Sequence, residues 1–135
     1  MEIYYADFNK TIGYDCNNDK KPFYMLNDFV VIIQNNKRKF YMMIKKGFTS
    51  DGCTIWKPFR FLLGCPHTPK YLPASIIHDW ILDHPEVVKY DRKTASTIFF
   101  YALLKEGVCP VQAAIMYIAV DLWQWVKNFF VDKWL

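Results

Sequence analysis

The apolar positions change period midway along the chain. Phe29-Val30-Val31-Ile32-Ile33 is a β-branched run, Asn35-Asn36 interrupts it, and Phe40, Tyr41, Met42 and Met43 resume it between Arg38 and Ile44. Asn tolerates positive φ, so the pattern predicts a tight antiparallel hairpin. Ile3-Tyr4-Tyr5 is a further candidate strand. Residues 9–22, rich in Asn, Asp, Lys and Gly, read as a loop.

From Thr54 onward the signals are helical. Thr54 is a candidate cap for a short helix through Leu63, stopped by Gly64. Pro73 suits the first turn of a helix to about Leu82, ended by His84-Pro85. Asp91 is a good N-cap for a helix to Glu106, with Ala95, Ile98, Phe99, Ala102 and Leu103 on one face and Gly107 as its stop. Pro110 opens a last helix to about Lys133. No internal repeat or linker interrupts the order. The expected fold is therefore α+β, a single domain over 1–135. A small N-terminal antiparallel sheet is followed by a layer of three to four helices.

Composition sharpens two points. The chain has 135 residues, and 11 Phe, 9 Tyr and 5 Trp make it unusually aromatic. Phe29, Phe40 and Phe99 fit a core between sheet and helices. Along the last helix, apolar residues from Ile115 to Leu135 cover nearly every face. A helix apolar all round is buried or docked. Trp123, Trp125, Phe129, Phe130 and Trp134 therefore mark a partner surface, for another protein or a second copy. The uncharged stretch from Gly107 to Val120 is 14 residues, short of the roughly 18 needed to span a bilayer. Contact with a membrane surface stays open, but a transmembrane span is not expected.

Charge and cysteines exclude more than they assign. The formal net charge is +4. The basic residues lie in short scattered runs, so nucleic acid is not an expected partner. Cys16, Cys53, Cys65 and Cys109 form no C-x-x-C pair, and free, mostly buried thiols are expected. Glu2 comes early and no apolar stretch follows it, so no signal peptide is expected.

Three places set polar groups among apolar ones: Ser50 to Thr54, the run Ile76 to His84, and Asp121 in the last helix. His78 can act as a general base near neutral pH. Asp51 can orient its imidazole, and Thr54 can serve as a donor or weak nucleophile. Asp79 and Asp83 lie four residues apart and share a helix face, where a calcium-like cation would accept both carboxylates. Plainer alternatives stand beside each role. An Asx-turn explains Asp51, a cap explains Thr54, and a surface stripe explains Asp79 with Asp83. His78 and Asp79 can also be structural, the aspartate tying a neighbouring loop. His84 is expected to cap carbonyls or face solvent, and no role falls to His67. Motifs of lipase-fold, zincin and nucleotide-binding enzymes are missing.

IKKGFTSDGCTIWKPFRFLLG, ASIIHDWIL and DRKTASTIFFYALLKEGVCPVQAAIMYIAVDLW resemble, in order and spacing, the phage and prophage family called domain of unknown function 1353. The resemblance covers about residues 40–126. It implies a bacteriophage or prophage origin, hence the virion or the host bacterial cytoplasm, and it implies no activity. Its polar positions fall on Asp51, Thr54, His78 and Asp79. Two positions depart from it: Ser96 stands where the family often carries an acid, and the Ser-Ile-Pro element reads Thr54-Ile55-Trp56. A His-Asp pair on one helix with D-R-x-x-A on the next is more loosely similar to secreted phospholipase A-two. There a histidine activates water and its neighbouring aspartate holds calcium. His78, Asp79, the loop at Gly52 and Asp91 would be the counterparts, without that family's paired disulfides.

Two functions follow as expectations. The favoured one is a non-catalytic phage component that binds a virion protein or host factor and keeps a structural Asp-His-Asp polar centre. The alternative is a small hydrolase acting on an ester, phospholipid or cell-envelope amide, with His78 as general base.

Overall fold

The computed structural model describes residues 1–5, 12–17, 21–36, 38–50, 71–84 and 92–134. The elements run β1 (Glu2–Tyr5), β2 (Ile12–Tyr14), β3 (Phe23–Met25), β4 (Phe29–Asn35), β5 (Arg38–Ile44), β6 (Thr49–Ser50), α1 (Leu72–Asp83), α2 (Arg92–Lys105) and α3 (Pro110–Trp134). This is the expected α+β order, strands first and helices after.

The hairpin forms where the asparagines predict it. Asn36 takes φ 55, a left-handed conformation that Asn adopts more readily than most residues. Phe29 then pairs with Ile44, Val31 with Met42 and Ile33 with Phe40. Alternation points Phe29, Val31, Ile33, Met42 and Ile44 inward. β1 adds to the free edge of β4, with Ile3 opposite Ile33.

A second antiparallel sheet, ordered β2-β3-β6, was not expected. Its strands are two or three residues long, too short to display a period. β2 lies inside the stretch that reads as loop. The ring of Tyr24 on the paired strand lies over Gly13, where an added Cβ would make it shift. Gly47, at φ +88, turns β5 back so that its N–H reaches the Met25 carbonyl at 2.8 Å.

The helices start and stop on their sequence signals. Pro73 sits in the first turn of α1, where its missing N–H costs nothing. At the end of α2 Gly107 takes φ +87. Val108 N–H bonds Leu103 O at 3.1 Å and Gly107 N–H bonds Leu104 O at 3.0 Å. Both bonds satisfy carbonyls that the helix end leaves open. α2 is the middle helix, touching α1, α3 and β1. Ala95, Ile98, Phe99, Ala102 and Leu103, the face expected to be apolar, are all buried. Phe29 and Phe99 are in the core as expected, and Phe40 packs against it partly covered.

Two further expectations meet different outcomes. Cys16 and Cys109 are free but exposed, because both lie where an element ends and not on an inward face. The predicted helix from Thr54 to Leu63, Asp91, Cys53, Cys65 and His67 lie outside the described residues.

Candidate functional site

α1 carries two neighbouring polar residues toward different parts of the fold. Successive helical residues point about 100° apart. Asp79 faces the small sheet, where its Oδ2 accepts a 2.8 Å hydrogen bond from Ser50 Oγ at the end of β6. His78 faces α2, with its ring 5.5 Å from that of Phe99 and tilted 55° to it. His78 Nδ1 and Asp79 Oδ1 are 4.0 Å apart, too far for a hydrogen bond. Only 5% of His78 is exposed. A base this enclosed meets only what enters the interior. What the arrangement does directly is tie β6, and so the start of the β6-to-α1 connection, to the middle of α1. Asp51 and Thr54, the other candidate catalytic residues, lie outside the described residues.

The two candidate cation ligands differ in their surroundings. Asp79 is half-buried and holds Ser50, whereas Asp83 is exposed one turn on. Among the described residues no group of three or more His, Cys, Asp or Glu converges to hold a metal ion. His84 closes the helix: its backbone N–H donates to Trp80 O, its Nδ1 lies 3.1 Å from the same oxygen, and its ring stacks on Trp80 at 3.7 Å.

Ser96 and Asp121, separate features in the sequence, meet in the fold. Ser96 is fully buried in α2, and its Oγ donates to Asp121 Oδ1 on α3 at 2.9 Å. The bond ties α2 to α3. Sequence spacing held no signal for this, since the contact joins residues 25 apart across a helix pair.

Tyr5 forms another tie. Its hydroxyl donates to Glu106, its ring lies 5.3 Å from Phe29, and Lys105 Nζ sits 4.6 Å over it. Burial first, then the bond to Glu106 and that residue's negative charge, push the Tyr5 hydroxyl pKa well above the usual tyrosine value.

The aromatic residues of α3 differ in exposure. Trp125 is 51% and Phe129 44% exposed, and their rings stack at 5.8 Å and 21°. Trp123 is half-buried. The side chains of Phe130 and Trp134 lie outside the described residues. Sequence reasoning missed the order within this helix. Ala113, Met116, Ala119 and Val120 are buried, while Val111, Ile118, Leu122, Trp125 and Phe129 are exposed. At about 100° per residue the two sets lie on opposite sides of the helix. The signal was present as spacing, but it was hidden because both sides are apolar. Beside Ile118 a shallow groove of about 360 Å³ runs between α2 and α3, lined by Thr97, Phe100, Tyr101, Ala114 and Tyr117. A second exposed apolar patch, also missed, lies on the outer face of the larger sheet at Tyr4, Val30, Tyr41 and Met43. Among the described residues no helix is long and apolar enough to cross a membrane.

No curated protein and no solved structure matches the chain. A family model described as "Protein of unknown function (DUF1353)" matches residues 24–120, from within β3 to Val120 in α3. The chain belongs to the DUF1353 family.

Proposed function

We propose that this chain is a non-catalytic component encoded by a bacteriophage or prophage, and that it works by docking on a protein through the outward side of α3. The observation that carries this is the row of exposed apolar side chains from Val111 to Phe129, set opposite the side of the helix that joins the core. Isolated exposed apolar residues need no explanation, but a continuous row does. The enclosure of His78 and the Ser50–Asp79 bond support a structural role for the polar centre. The phage origin, and with it a place in the virion or the host cytoplasm, rests on the motif resemblance of residues 40–126.

The test is genetic. In a phage or prophage carrying this chain, Ile118→Glu with Trp125→Ser should reduce phage yield, while His78→Gln, close in volume, should leave it near wild type. In parallel, purified wild-type and His78→Gln protein should hydrolyse esters, phospholipid and peptidoglycan no faster than buffer, with or without calcium. Hydrolysis by the wild type that His78→Gln abolishes would establish the hydrolase instead.

A further inference from the structure

The outward side of α3 has a regular order. Val111, Ile115, Ile118, Leu122, Trp125 and Phe129 follow one another at spacings of 4, 3, 4, 3 and 4 residues. Eighteen residues in five steps give a mean period of 3.6, so the row keeps to one stripe of a straight helix over about five turns and can lie along a partner helix. Ile115 is partly buried and packs against the core at the edge of the row, and the other five are exposed. A straight apolar stripe of this length suits a second helix lying along it.

We propose that the occupant is α3 of a second copy of this chain, laid antiparallel about a two-fold axis near residue 120. This rests on the docking role of α3 proposed above and commits it to one partner. The six positions are symmetric about residue 120, so antiparallel pairing brings Ile118 opposite Leu122, Ile115 opposite Trp125 and Val111 opposite Phe129. Every layer then joins a side chain from the aliphatic half of the row to one from the half that ends in the two rings. Parallel pairing would instead stack Trp125 on Trp125 and Phe129 on Phe129 and leave the valine end loose. An isologous interface must be complementary to itself, and the antiparallel register does this by setting a ring against a smaller aliphatic side chain in both outer layers. The groove lined by Ala114, Tyr117 and Ile118 lies beside the layer where Trp125 of the second copy would arrive.

Area sets the strength. Val111, Ile118, Leu122, Trp125 and Phe129 are 69%, 56%, 37%, 51% and 44% exposed. That is on the order of 500 Å² of apolar surface per chain, so two copies reach about 1,000 Å², the lower bound for a specific interface. An interface at that lower bound belongs with weak complexes, and a dissociation constant on the order of micromolar is the value to test.

Sedimentation equilibrium of the full chain from about 1 to about 100 μM tests this. The wild type should pass from monomer to dimer. Ile118→Glu and Leu122→Lys, each at an exposed position, should keep the circular dichroism of the wild type and weaken dimerisation at least about tenfold. Mixed one to one, the two variants should recover a heterodimer, because position 118 of one chain meets position 122 of the other. A wild type that stays monomeric, a dimer indifferent to Ile118→Glu, or a mixture that fails to recover would each overturn the proposal. For a monomeric wild type, iodide quenching of the Trp125 fluorescence, taken as the difference from Trp125→Phe, separates the two levels. Accessible Trp125 leaves the docking role standing with a different partner. Shielded Trp125 removes the docking role as well.

Discussion

Replacing Asp79 by Ala tests whether the polar centre holds the fold together. Its Oδ2 accepts from Ser50 Oγ at 2.8 Å, and Ser50 is 1% exposed whereas the Asp79 side chain is 30% exposed. The two deletions are therefore unequal. Asp79→Ala takes a charged acceptor from a hydroxyl that water reaches poorly, costing about 2–3 kcal/mol. Ser50→Ala leaves a carboxylate that water can partly resolvate, costing about 1 kcal/mol. The double variant should lose less than the sum of the two, with a coupling of about 1 kcal/mol, because the second deletion removes a partner already lost. At this chain length about 2.5 kcal/mol corresponds to a Tm lower by roughly 8–12 °C. Urea unfolding at pH 7, followed by far-ultraviolet circular dichroism, gives all three values. Strict additivity within about 0.3 kcal/mol would refute the tie between β6 and α1.

Other positions give independent checks. Tyr5→Phe should lose about 1 kcal/mol at pH 7 with its bond to Glu106. Since the Tyr5 pKa is raised by folding, its contribution is complete below about pH 10, the unfolded value, and fades as pH rises further. Alkaline unfolding should therefore be shallower in the Phe variant, and an unchanged slope would count against the tie. Ser96→Asp puts a second carboxylate beside Asp121 at a fully buried site and should destabilise by about 2–4 kcal/mol at pH 7. The like charge raises the folded-state carboxyl pKa, so this deficit should shrink toward pH 4 and grow toward pH 7 in parallel denaturant titrations. Gly107→Ala, at φ +87, should cost about 1 kcal/mol by the same titration, because L side chains strain in that conformation.

The parts of this fold that were readable in advance are those set by local chemistry. Asn36 marks the hairpin, Pro73 and Pro110 mark helix starts, and Gly107 marks the end of α2, each through a backbone preference that needs no distant partner. β2, β3 and β6 were not readable. Two or three residues show no period, and Gly13 reads as loop although the ring of Tyr24 lies over it. The polar centre was half readable. His78 and Asp79 stand out as polar residues in an apolar run, but that one faces Phe99 and the other Ser50 depends on how α1 is rotated between α2 and β6. The Ser96–Asp121 bond depends on helix packing alone. On α3 the excess of apolar residues was plain. Its division into an inner and an outer side follows only once the packing that buries Ala113, Met116 and Ala119 is known.

The self-association of α3 stands or falls on which surface is covered when copies of the chain associate. Hydroxyl-radical footprinting, read residue by residue at low and high protein concentration, addresses this directly. Labelling of Ile118, Leu122, Trp125 and Phe129 should drop as concentration rises, while exposed Tyr41 on the sheet stays labelled and buried Met116 stays unlabelled throughout. Undiminished labelling along α3, with protection appearing at Tyr4, Tyr41 and Met43 on the outer sheet face, would contradict it.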